Sequence, residues 1–297
     1  MRKEKRTLKL SSRFLITAFF LCLLGILASY STSALKSNDL FGTPYYFVSK
    51  QIIGVCIGFF LILIIQKTPF SFFERVPLPF FFLTSFLLLL IYIPGVYYKA
   101  GGAYRWISLA GVTIQPAELA KVYLIFLLAK NISRKSFNIK NFQSAYLSHG
   151  LILLFLATCP MKQPDFGSTF VLFILTFLML FVSGIKKKHI LTGTLVILPI
   201  IVWAIWSAPY RVKRILSFLY PWENADTGGF QIIQSYLAFS NGGFLGSGFG
   251  ASKQKLFYLP EAHTDFILPV LAEELGVLGL FFILFLFIYL IALGFSI

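Results

Sequence analysis

Long apolar stretches alternate with short polar segments along almost the whole chain. Several of these stretches run for about 20 residues without a charge, the length that an α-helix needs to cross a bilayer. We therefore predict an all-α, polytopic membrane protein with about eight transmembrane helices. Their expected bounds are Phe14–Ala34, Tyr46–Gln66, Val76–Val96, Pro116–Ala129, Phe142–Thr158, Phe166–Ile185, Ile190–Pro209 and Phe266–Leu293.

The polar segments between these helices differ in length and character. Residues 1–13 form a basic tail, and Tyr97–Gln115 is an outer loop rich in glycine and aromatic residues. Residues 210–264 form a large outer loop between helices 7 and 8, too long for a simple connection. Within it, Arg211–Leu219 and Phe230–Phe239 have the pattern of amphipathic helices at a membrane interface. We treat residues 1–297 as a single membrane domain.

Composition and charge agree with a membrane protein. The chain is 58% hydrophobic and 12% charged, whereas a typical soluble domain has about 25% charged residues. The net charge of +15 does not indicate nucleic-acid binding, because its distribution follows membrane topology. With a cytoplasmic N-terminus, 15 of the 26 basic residues but only two of the 11 acidic residues lie in inner segments. We therefore expect a multi-pass protein of the bacterial cytoplasmic membrane with its chemistry on the outer face.

The three cysteines, Cys22, Cys56 and Cys159, all lie in apolar runs. This placement favours buried thiols over a disulfide framework or a metal site. The sequence contains no CxxC or HExxH motif, and we predict no metal ligands from it.

Charged residues are scarce, yet six of them lie between Lys253 and Gly276. In this segment His263 and Asp265 precede helix 8, and Glu273 and Glu274 lie about two turns inside it. Carboxylates beside a bilayer are costly to retain, so they suggest a function. Asp265 could act as a general base or cap the helix, and the glutamates could bind substrate or make interhelical hydrogen bonds. His263 could be a pH-sensitive partner or an ordinary loop residue.

Other charged groups lie at the ends of predicted helices. Glu118 and Lys121 share a helix face, and with Arg105 they could form a cradle for an anionic substrate or a structural ion pair. Asp165 could cap helix 6. Arg211 and Arg214 could bind lipid headgroups or a substrate pyrophosphate. The glycine-rich run between Asn241 and Lys255 lacks the spacing of a nucleotide-binding loop, and we interpret it as a turn that lets the backbone approach a substrate.

Five segments of the chain carry a resemblance to a known family. They are RWISLAGVTIQPAELAK (Arg105–Lys121), QPDFGST (Gln163–Thr169), YRVKR with FLYPW (Tyr210–Trp222), GGFQIIQSYLAFSNGGFLGSGFGASKQKLFYLPEAHTDFI (Gly228–Ile267) and AEELGVLG (Ala272–Gly279). With these segments in this order, the chain resembles the SEDS family of membrane glycosyltransferases along essentially its whole length. The segment SKQKLFYLPEAHTDFI is most similar to the division-type members. The resemblance implies a fold of ten membrane helices, of which the last two would follow residue 297.

The same resemblance implies a function and roles for particular residues. Members polymerise lipid II into glycan strands outside the cytoplasmic membrane, and their catalytic aspartate falls on Asp265. Asp265 would take the proton from the acceptor hydroxyl while undecaprenyl pyrophosphate leaves the donor sugar. A divalent cation could assist, although the sequence shows no clear cage for one. Expected substrate-binding residues are Arg105, Glu118, Lys121, Asp165, Arg211, Arg214, His263, Glu273, Glu274 and Lys50, the last standing where the family has an arginine.

Family members also act with partners, so the resemblance implies a class B penicillin-binding protein transpeptidase and other divisome proteins as partners. Two alternatives to a glycosyltransferase stay open. A bundle with polar groups also suits a flippase for lipid-linked precursors, although most candidate residues gather at the outer edge. A non-catalytic division scaffold is the other alternative.

Overall fold

A computed structural model describes residues 2–100, 103–109, 112–134, 148–256 and 259–297. Within these residues the helices are α1 (Arg2–Phe41), α2 (Tyr46–Lys67), α3 (Phe70–Arg75), α4 (Pro77–Leu90), α5 (Pro116–Ser133), α6 (Ser148–Lys162), α7 (Phe166–Val182), α8 (Lys187–Trp206), α9 (Pro209–Leu219), α10 (Phe230–Gly242) and α11 (Ile267–Ser296). Three strands, β1 (Tyr97–Ala100), β2 (Ala103–Leu109) and β3 (Val112–Ile114), separate α4 from α5. A π-helical turn, Ala225–Gly229, precedes α10.

Each of the eight predicted membrane helices corresponds to a helix of the structure, namely α1, α2, α4, α5, α6, α7, α8 and α11. The prediction of an α-helical membrane fold is therefore confirmed. The first six residues of predicted helix 5, 142–147, lie outside the described residues. The two amphipathic segments of the large loop are helical as well, as α9 and α10.

α1 begins at Arg2 rather than at the predicted Phe14, and two helix C-termini differ from the prediction for identifiable reasons. α1 continues past Ala34 to Phe41 and stops before Gly42, whose φ of 68° suits a helix C-terminus. Predicted helix 3 was too long, since α4 ends at Leu90, ahead of a turn that contains Pro94 and Gly95.

The helices present extensive apolar surface. α1 from Lys9, α2, α8 and α11 are long and apolar enough to cross a membrane, and α4, α6 from His149, and α7 are shorter apolar helices. On α2, Ile53, Ile57 and Phe60 are exposed. Such a surface has the composition expected of helices that face lipid rather than water.

The described chain divides into two compact units, which we call the terminal unit (Met1–Gln66 and Ala204–Ile297) and the central unit (Lys67–Trp203). In the terminal unit, α11 packs against both α1 and α10. In the central unit, α5 packs against α4, α6 and α7, and the core between them is apolar. Its fully buried residues include Leu88, Leu124, Leu128, Leu156 and Leu172.

The segment Tyr97–Gln115, which the sequence suggested was an outer loop, contributes a small antiparallel sheet to the central unit. The strand order is β1-β2-β3, with Tyr97 opposite Ile107 and Ile107 opposite Ile114. Ile107 is fully buried. Because side chains two positions apart lie on the same face of a strand, Arg105 and the buried Ile107 share one face of the sheet.

Candidate active site

In the terminal unit, α11 is interrupted at Gly276, where φ is 67° and ψ is −174°. The interruption leaves backbone groups without partners in the helix, and the segment of residues 243–248 supplies them. The hydrogen bonds run from Val277 N to Gly243 O at 3.0 Å, from Leu278 N to Phe244 O at 3.2 Å, from Ser247 N to Glu273 O at 2.9 Å and from Gly248 N to Glu274 O at 3.0 Å. We call this arrangement the backbone clasp.

Glycine is required where the clasp brings the two backbones together. A Cβ at Gly242 would lie 2.1 Å from the carbonyl oxygen of Ala272, and one at Gly246 would lie 2.1 Å from that of Glu274. Gly246 also has a φ of 81°, which favours glycine. These glycines let the loop approach α11, whereas an approach of their backbone to substrate stays a prediction.

Glu273 fastens the loop that precedes α11. Its side chain is buried, and its carboxylate accepts hydrogen bonds from the Ser252 hydroxyl, from Gln254 N at 3.2 Å and from the Asn241 amide at 3.3 Å. A buried carboxylate is tolerated when several donors satisfy it. Glu273 therefore joins α10 and the loop to α11.

Glu274 lies beside it but binds different partners. Its carboxylate accepts from the Ser31 hydroxyl of α1 at 2.6 Å and from Lys255 Nζ at 2.8 Å, and Lys255 Nζ lies 3.1 Å from Ser31 Oγ. The Glu274 residue is 1% exposed. These contacts provide the interhelical hydrogen bonds that were one alternative for the two glutamates. Direct contact of Glu273 or Glu274 with a substrate stays a prediction.

Asp265 lies in the turn Glu261–Phe266, immediately before α11. The Glu261 carbonyl closes this turn by accepting from Thr264 N at 3.0 Å and from Phe266 N at 3.2 Å. The Asp265 side chain is exposed, and among the described residues its carboxylate has no hydrogen-bond partner. A carboxylate held on an ordered turn and open to solvent is accessible to a substrate hydroxyl.

His263 lies in the same turn, against Phe47 of α2, with the two ring centroids 5.1 Å apart. Burial lowers the pKa of the His263 imidazole below the usual 6.5, and the positive charge of Lys36 acts in the same direction. The carboxylates of Glu261 and Asp265 oppose that shift. His263 is therefore neutral at neutral pH, and the charge of this turn comes from Glu261 and Asp265.

Three more predicted cations belong to the terminal unit. Lys50 lies one turn beyond Phe47 on α2, with Nζ 2.7 Å from the Tyr46 hydroxyl. Arg211 of α9 donates to the Ala204 carbonyl and, through Nε at 3.0 Å, to the Tyr210 hydroxyl. Arg214 stacks 5.9 Å from the Tyr210 ring and is exposed. Arg214 thus keeps more of its guanidinium available to an anion than Arg211 does.

In the central unit, Arg105 and Asp165 are close together. Arg105 donates through Nη2 to the Pro164 carbonyl at 2.8 Å, and its Nη1 lies 3.9 Å from Asp165 Oδ1. Asp165 is 4% exposed, accepts from Ser168 N at 3.2 Å and thereby caps α7, as its position in the sequence suggested. The Gln115 amide also donates to it at 3.1 Å. Asp165 therefore joins the sheet to the start of α7.

Glu118 and Lys121 form the expected pair at the start of α5. Lys121 Nζ lies 2.7 Å from Glu118 Oε1, and the side chains are 20% and 57% exposed, respectively. The structural ion pair is therefore present, and its exposure leaves Lys121 open to an anion as well. The carboxylate of Glu118 also lies in the first helical turn, where the helix dipole favours it.

The structure thus brings the predicted residues together in two groups, one in each unit. Lys50, Arg211, Arg214, His263, Asp265, Glu273 and Glu274 belong to the terminal unit, and Arg105, Glu118, Lys121 and Asp165 belong to the central unit. In the described part of the chain, no group of three or more His, Cys, Asp or Glu residues could hold a metal ion.

Several contacting residues were not anticipated from the sequence, among them Ser31, Lys255, Ser252 and Asn241. Ser31 belongs to the run SYSTSALKS, whose polar residues inside an apolar helix were an available signal. Lys255 stood within the charged segment already singled out, but its partner is 19 residues away in the chain. Such a separation carries no local pattern.

Comparison with protein families gives a match along nearly the whole chain. The model of the cell cycle protein family named for FtsW, RodA and SpoVE matches residues 12–297. A relative from Geobacter sp. (strain M18), a probable peptidoglycan glycosyltransferase FtsW, is 40% identical over 277 residues, which are 93% of this chain and 76% of the relative. A relative of the same name from Legionella pneumophila is 35% identical over 293 residues, covering 98% of this chain and 74% of the relative.

Solved structures share the fold. One belongs to a peptidoglycan synthase complex that coordinates polymerization and crosslinking. It aligns with a TM-score of 0.71 at 24% identity, over 94% of this chain and 75% of that one. The crystal structure of the rod shape determining protein RodA of Thermus thermophilus aligns with a TM-score of 0.62 at 22% identity, over 94% of this chain and 72% of that one. At these identities the likeness concerns the fold.

Proposed function

The chain belongs to the FtsW, RodA and SpoVE family of cell cycle proteins, and on that premise we propose that it is a peptidoglycan glycosyltransferase. Its reaction would be the polymerisation of lipid II into glycan strands during cell division. The observation that carries this proposal is the 40% identity, over 93% of the chain, to a relative named as a probable peptidoglycan glycosyltransferase FtsW.

Asp265 is the proposed general base. Its carboxylate would remove the proton from the 4-hydroxyl of the acceptor sugar while that oxygen bonds to C1 of the donor sugar. The bond from C1 to the lipid pyrophosphate breaks in the same displacement, and the anomeric configuration inverts. The exposure of Asp265 and its place on a turn closed by two backbone hydrogen bonds support this role.

Cationic groups would offset the charge on the leaving pyrophosphate. In the terminal unit Arg214 is exposed, and in the central unit Lys121 and Arg105 are partly exposed, with side chains 20% and 33% accessible. We assign anion binding to these groups because their charges are not fully neutralised by buried partners. Lys50, Arg211 and His263 remain assigned to substrate binding on the resemblance, and Asp165 would act by holding Arg105.

The chain is a multi-pass membrane protein. Its orientation is part of the proposal: a cytoplasmic N-terminus, supported by the basic inner segments, would place the turn of Asp265 on the outer face. A class B penicillin-binding protein transpeptidase is the proposed partner, with other divisome proteins. The likeness in fold to a member of a peptidoglycan synthase complex agrees with such an assembly.

The test is polymer formation by the purified protein. Fluorescent lipid II, a partner transpeptidase and the membrane protein in detergent or nanodiscs are incubated, and glycan strands are resolved on a gel. The Asp265→Asn variant should lose about 10²–10⁴-fold in rate, the usual contribution of general-base catalysis. Asp226→Asn is the matched control, because it makes the same chemical change at an exposed aspartate of the same loop.

The outcomes separate the alternatives. Polymer from the wild type and from Asp226→Asn, but not from Asp265→Asn, supports glycosyl transfer with Asp265 as base. Full activity of Asp265→Asn would remove the base assignment. Lipid II crossing vesicle membranes without polymer would favour a flippase, and capture of the transpeptidase without either activity would favour a scaffold.

A further inference from the structure

The last part of α1 provides a surface that the sequence did not predict. This helix continues for seven residues beyond Ala34, and the added length carries Lys36 and Asp39. Both lie beyond the long uncharged run of the helix. Lys36 reaches the turn of Asp265, where its Nζ lies 3.8 Å from Glu261 Oε1.

A cleft of about 370 Å³ lies between this helix end and the loop before α11. Its volume falls within the range of roughly 300–1,000 Å³ that is typical of small-ligand sites. The polar residues that line it come from α1 and from the loop, and they are Thr32, Lys36, Asp39, Lys255, Glu261 and His263. The whole cleft belongs to the terminal unit.

The charges that line the cleft differ in how far protein partners already engage them. Lys255 is occupied by Glu274 and Ser31. Lys36 and Glu261 form a long and half-exposed contact, with side chains 39% and 52% accessible, so a ligand can displace it at little cost. Among the described residues, the carboxylate of Asp39 has no hydrogen-bond or ion-pair partner. The cleft therefore offers one cation and two anions to a ligand.

This balance of charge selects the chemistry of the ligand. A pyrophosphate would be repelled by two carboxylates beside a single lysine of α1. A ligand that carries both a carboxylate and an amine matches the cleft, since Lys36 can bind the former and Asp39 the latter. The peptide attached to a lipid-linked disaccharide is such a ligand.

We propose that the cleft between Lys36, Asp39 and Glu261 binds the peptide portion of the lipid-linked substrate. The turn that lines the cleft with Glu261 and His263 also carries Asp265, so a peptide bound there keeps its sugar near the proposed base. Lys36 and Asp39 are then specificity-determining residues for the ends of the peptide. This inference rests on the proposed function, because that function supplies the substrate.

The test measures binding rather than turnover. Fluorescent lipid II is titrated into nanodiscs that contain the Asp265→Asn variant, and three forms are compared: the natural peptide, a peptide with amidated carboxylates and a peptide with an acetylated amine. Lys36→Gln should weaken binding of the natural form about tenfold, as loss of a charge-assisted hydrogen bond does, and leave the amidated form unchanged. Asp39→Asn should weaken the natural form but not the acetylated form.

Two variants serve as controls. Lys36→Arg keeps the charge and should retain most of the affinity. Lys253→Gln removes an exposed lysine from the same loop without altering the lining of the cleft and should bind all forms like the parent.

The proposal predicts a crossed selectivity, in which each substitution weakens binding only of the forms that keep the group it contacts. Equal loss on all three forms, or no loss on any, would overturn the assignment of the cleft. Absence of measurable lipid II binding would overturn it as well. Crossed selectivity in binding together with a wild-type protein that makes no polymer would contradict the proposed reaction while upholding the cleft, so the two failures are distinguishable.

Discussion

At the scale of single residues, Lys255 and Glu274 form an ion pair that is almost wholly removed from water. Their side chains are 9% and 0% exposed, and their charged atoms lie 2.8 Å apart. Such a pair contributes little net stability, because desolvation offsets the attraction. Loss of one partner is costly, because the other charge stays buried and unpaired. Because Lys255 also contacts Ser31 of α1, the position of the loop before α11 depends on both α1 and α11.

We expect Lys255→Met to lower the free energy of unfolding by about 3–5 kcal/mol, seen as a lower melting temperature in detergent. The double variant Lys255→Met/Glu274→Leu should recover part of this loss, since it buries no charge. Lys253→Met is the matched control at an exposed lysine and should melt like the wild type. A double variant less stable than Lys255→Met would contradict this expectation, because it would show that the other contacts of Glu274, such as the Ser31 hydroxyl, outweigh the cost of its unpaired charge.

His263 gives a prediction about pH. Its pKa lies below 6.5, and an unfolded chain would bind the proton more tightly, so stability should fall as the pH drops from 6.5 through the folded pKa. Lys36→Gln should raise the pKa of His263, and Glu261→Gln should lower it further, because the two charges act in opposite directions. Titration of labelled imidazole resonances by NMR, assigned with His263→Gln, measures both shifts. Shifts of the same sign would contradict the described surroundings of the ring.

At the scale of elements, the break in α11 is held mainly by the backbone clasp, to which the Ser247 hydroxyl adds a hydrogen bond to the Glu273 carbonyl at 2.9 Å. A Cβ at Gly276 would lie 2.4 Å from Gly246 N and 2.5 Å from Phe244 O. The positive φ there also disfavours any residue with a Cβ. The break therefore depends on glycine on both sides of the contact.

We expect Gly276→Ala to cost more than about 2 kcal/mol, because strain and the loss of clasp hydrogen bonds combine. The measurement is the melting temperature together with the rate of protease cleavage in residues 243–248. Gly58→Ala in α2 is the control: a Cβ there meets no atom within 4 Å, and alanine favours a helix by about 1 kcal/mol. Equal effects of the two substitutions would mean that the clasp does not hold the break.

The sequence predicts some elements of the fold better than others. Charge-free runs of helical length predicted the membrane helices, because each helix needs about 20 consecutive apolar residues to cross the bilayer. The sheet of β1, β2 and β3 is not evident from the sequence, since its strands are only three to seven residues long and the sequence around them is rich in glycine. The extension of α1 is not evident from the sequence, because the polar residues 36–39 follow the apolar run, whereas the helix ends only at Gly42.

At the scale of the whole molecule, the orientation in the membrane can be measured directly. In a background with Cys22, Cys56 and Cys159 replaced by alanine, a membrane-impermeant maleimide should label Glu223→Cys in intact cells. Lys187→Cys, at the start of α8, should be labelled only after the cells are permeabilised. Both sites are exposed in the structure, so a difference in labelling reports on the side of the membrane. The reverse pattern would place Asp265 on the cytoplasmic side and would contradict the proposal that lipid II is polymerised outside the membrane.

The candidate site was foreseen only in part. Asp265, Arg105, Lys121 and Asp165 could be named from the sequence, because charges are rare in an apolar chain and motifs of the family surround them. The sequence also suggested that Asp165 caps a helix, since aspartate before an apolar helix is a local signal. What each carboxylate contacts was open, because those partners lie far away in the chain: Ser31 is 243 residues from Glu274.

The sequence by itself determined the class of protein, the order of the membrane helices and the family. These follow from hydrophobicity, length and motif, each of which is written in consecutive residues. The tertiary structure alone decided that Glu273 and Glu274 are buried and hydrogen-bonded, while Asp265, eight and nine positions before them, is exposed. It also decided that Lys36 of α1 faces the turn of Asp265. Burial and pairing depend on which distant segments pack together, and no local pattern encodes that.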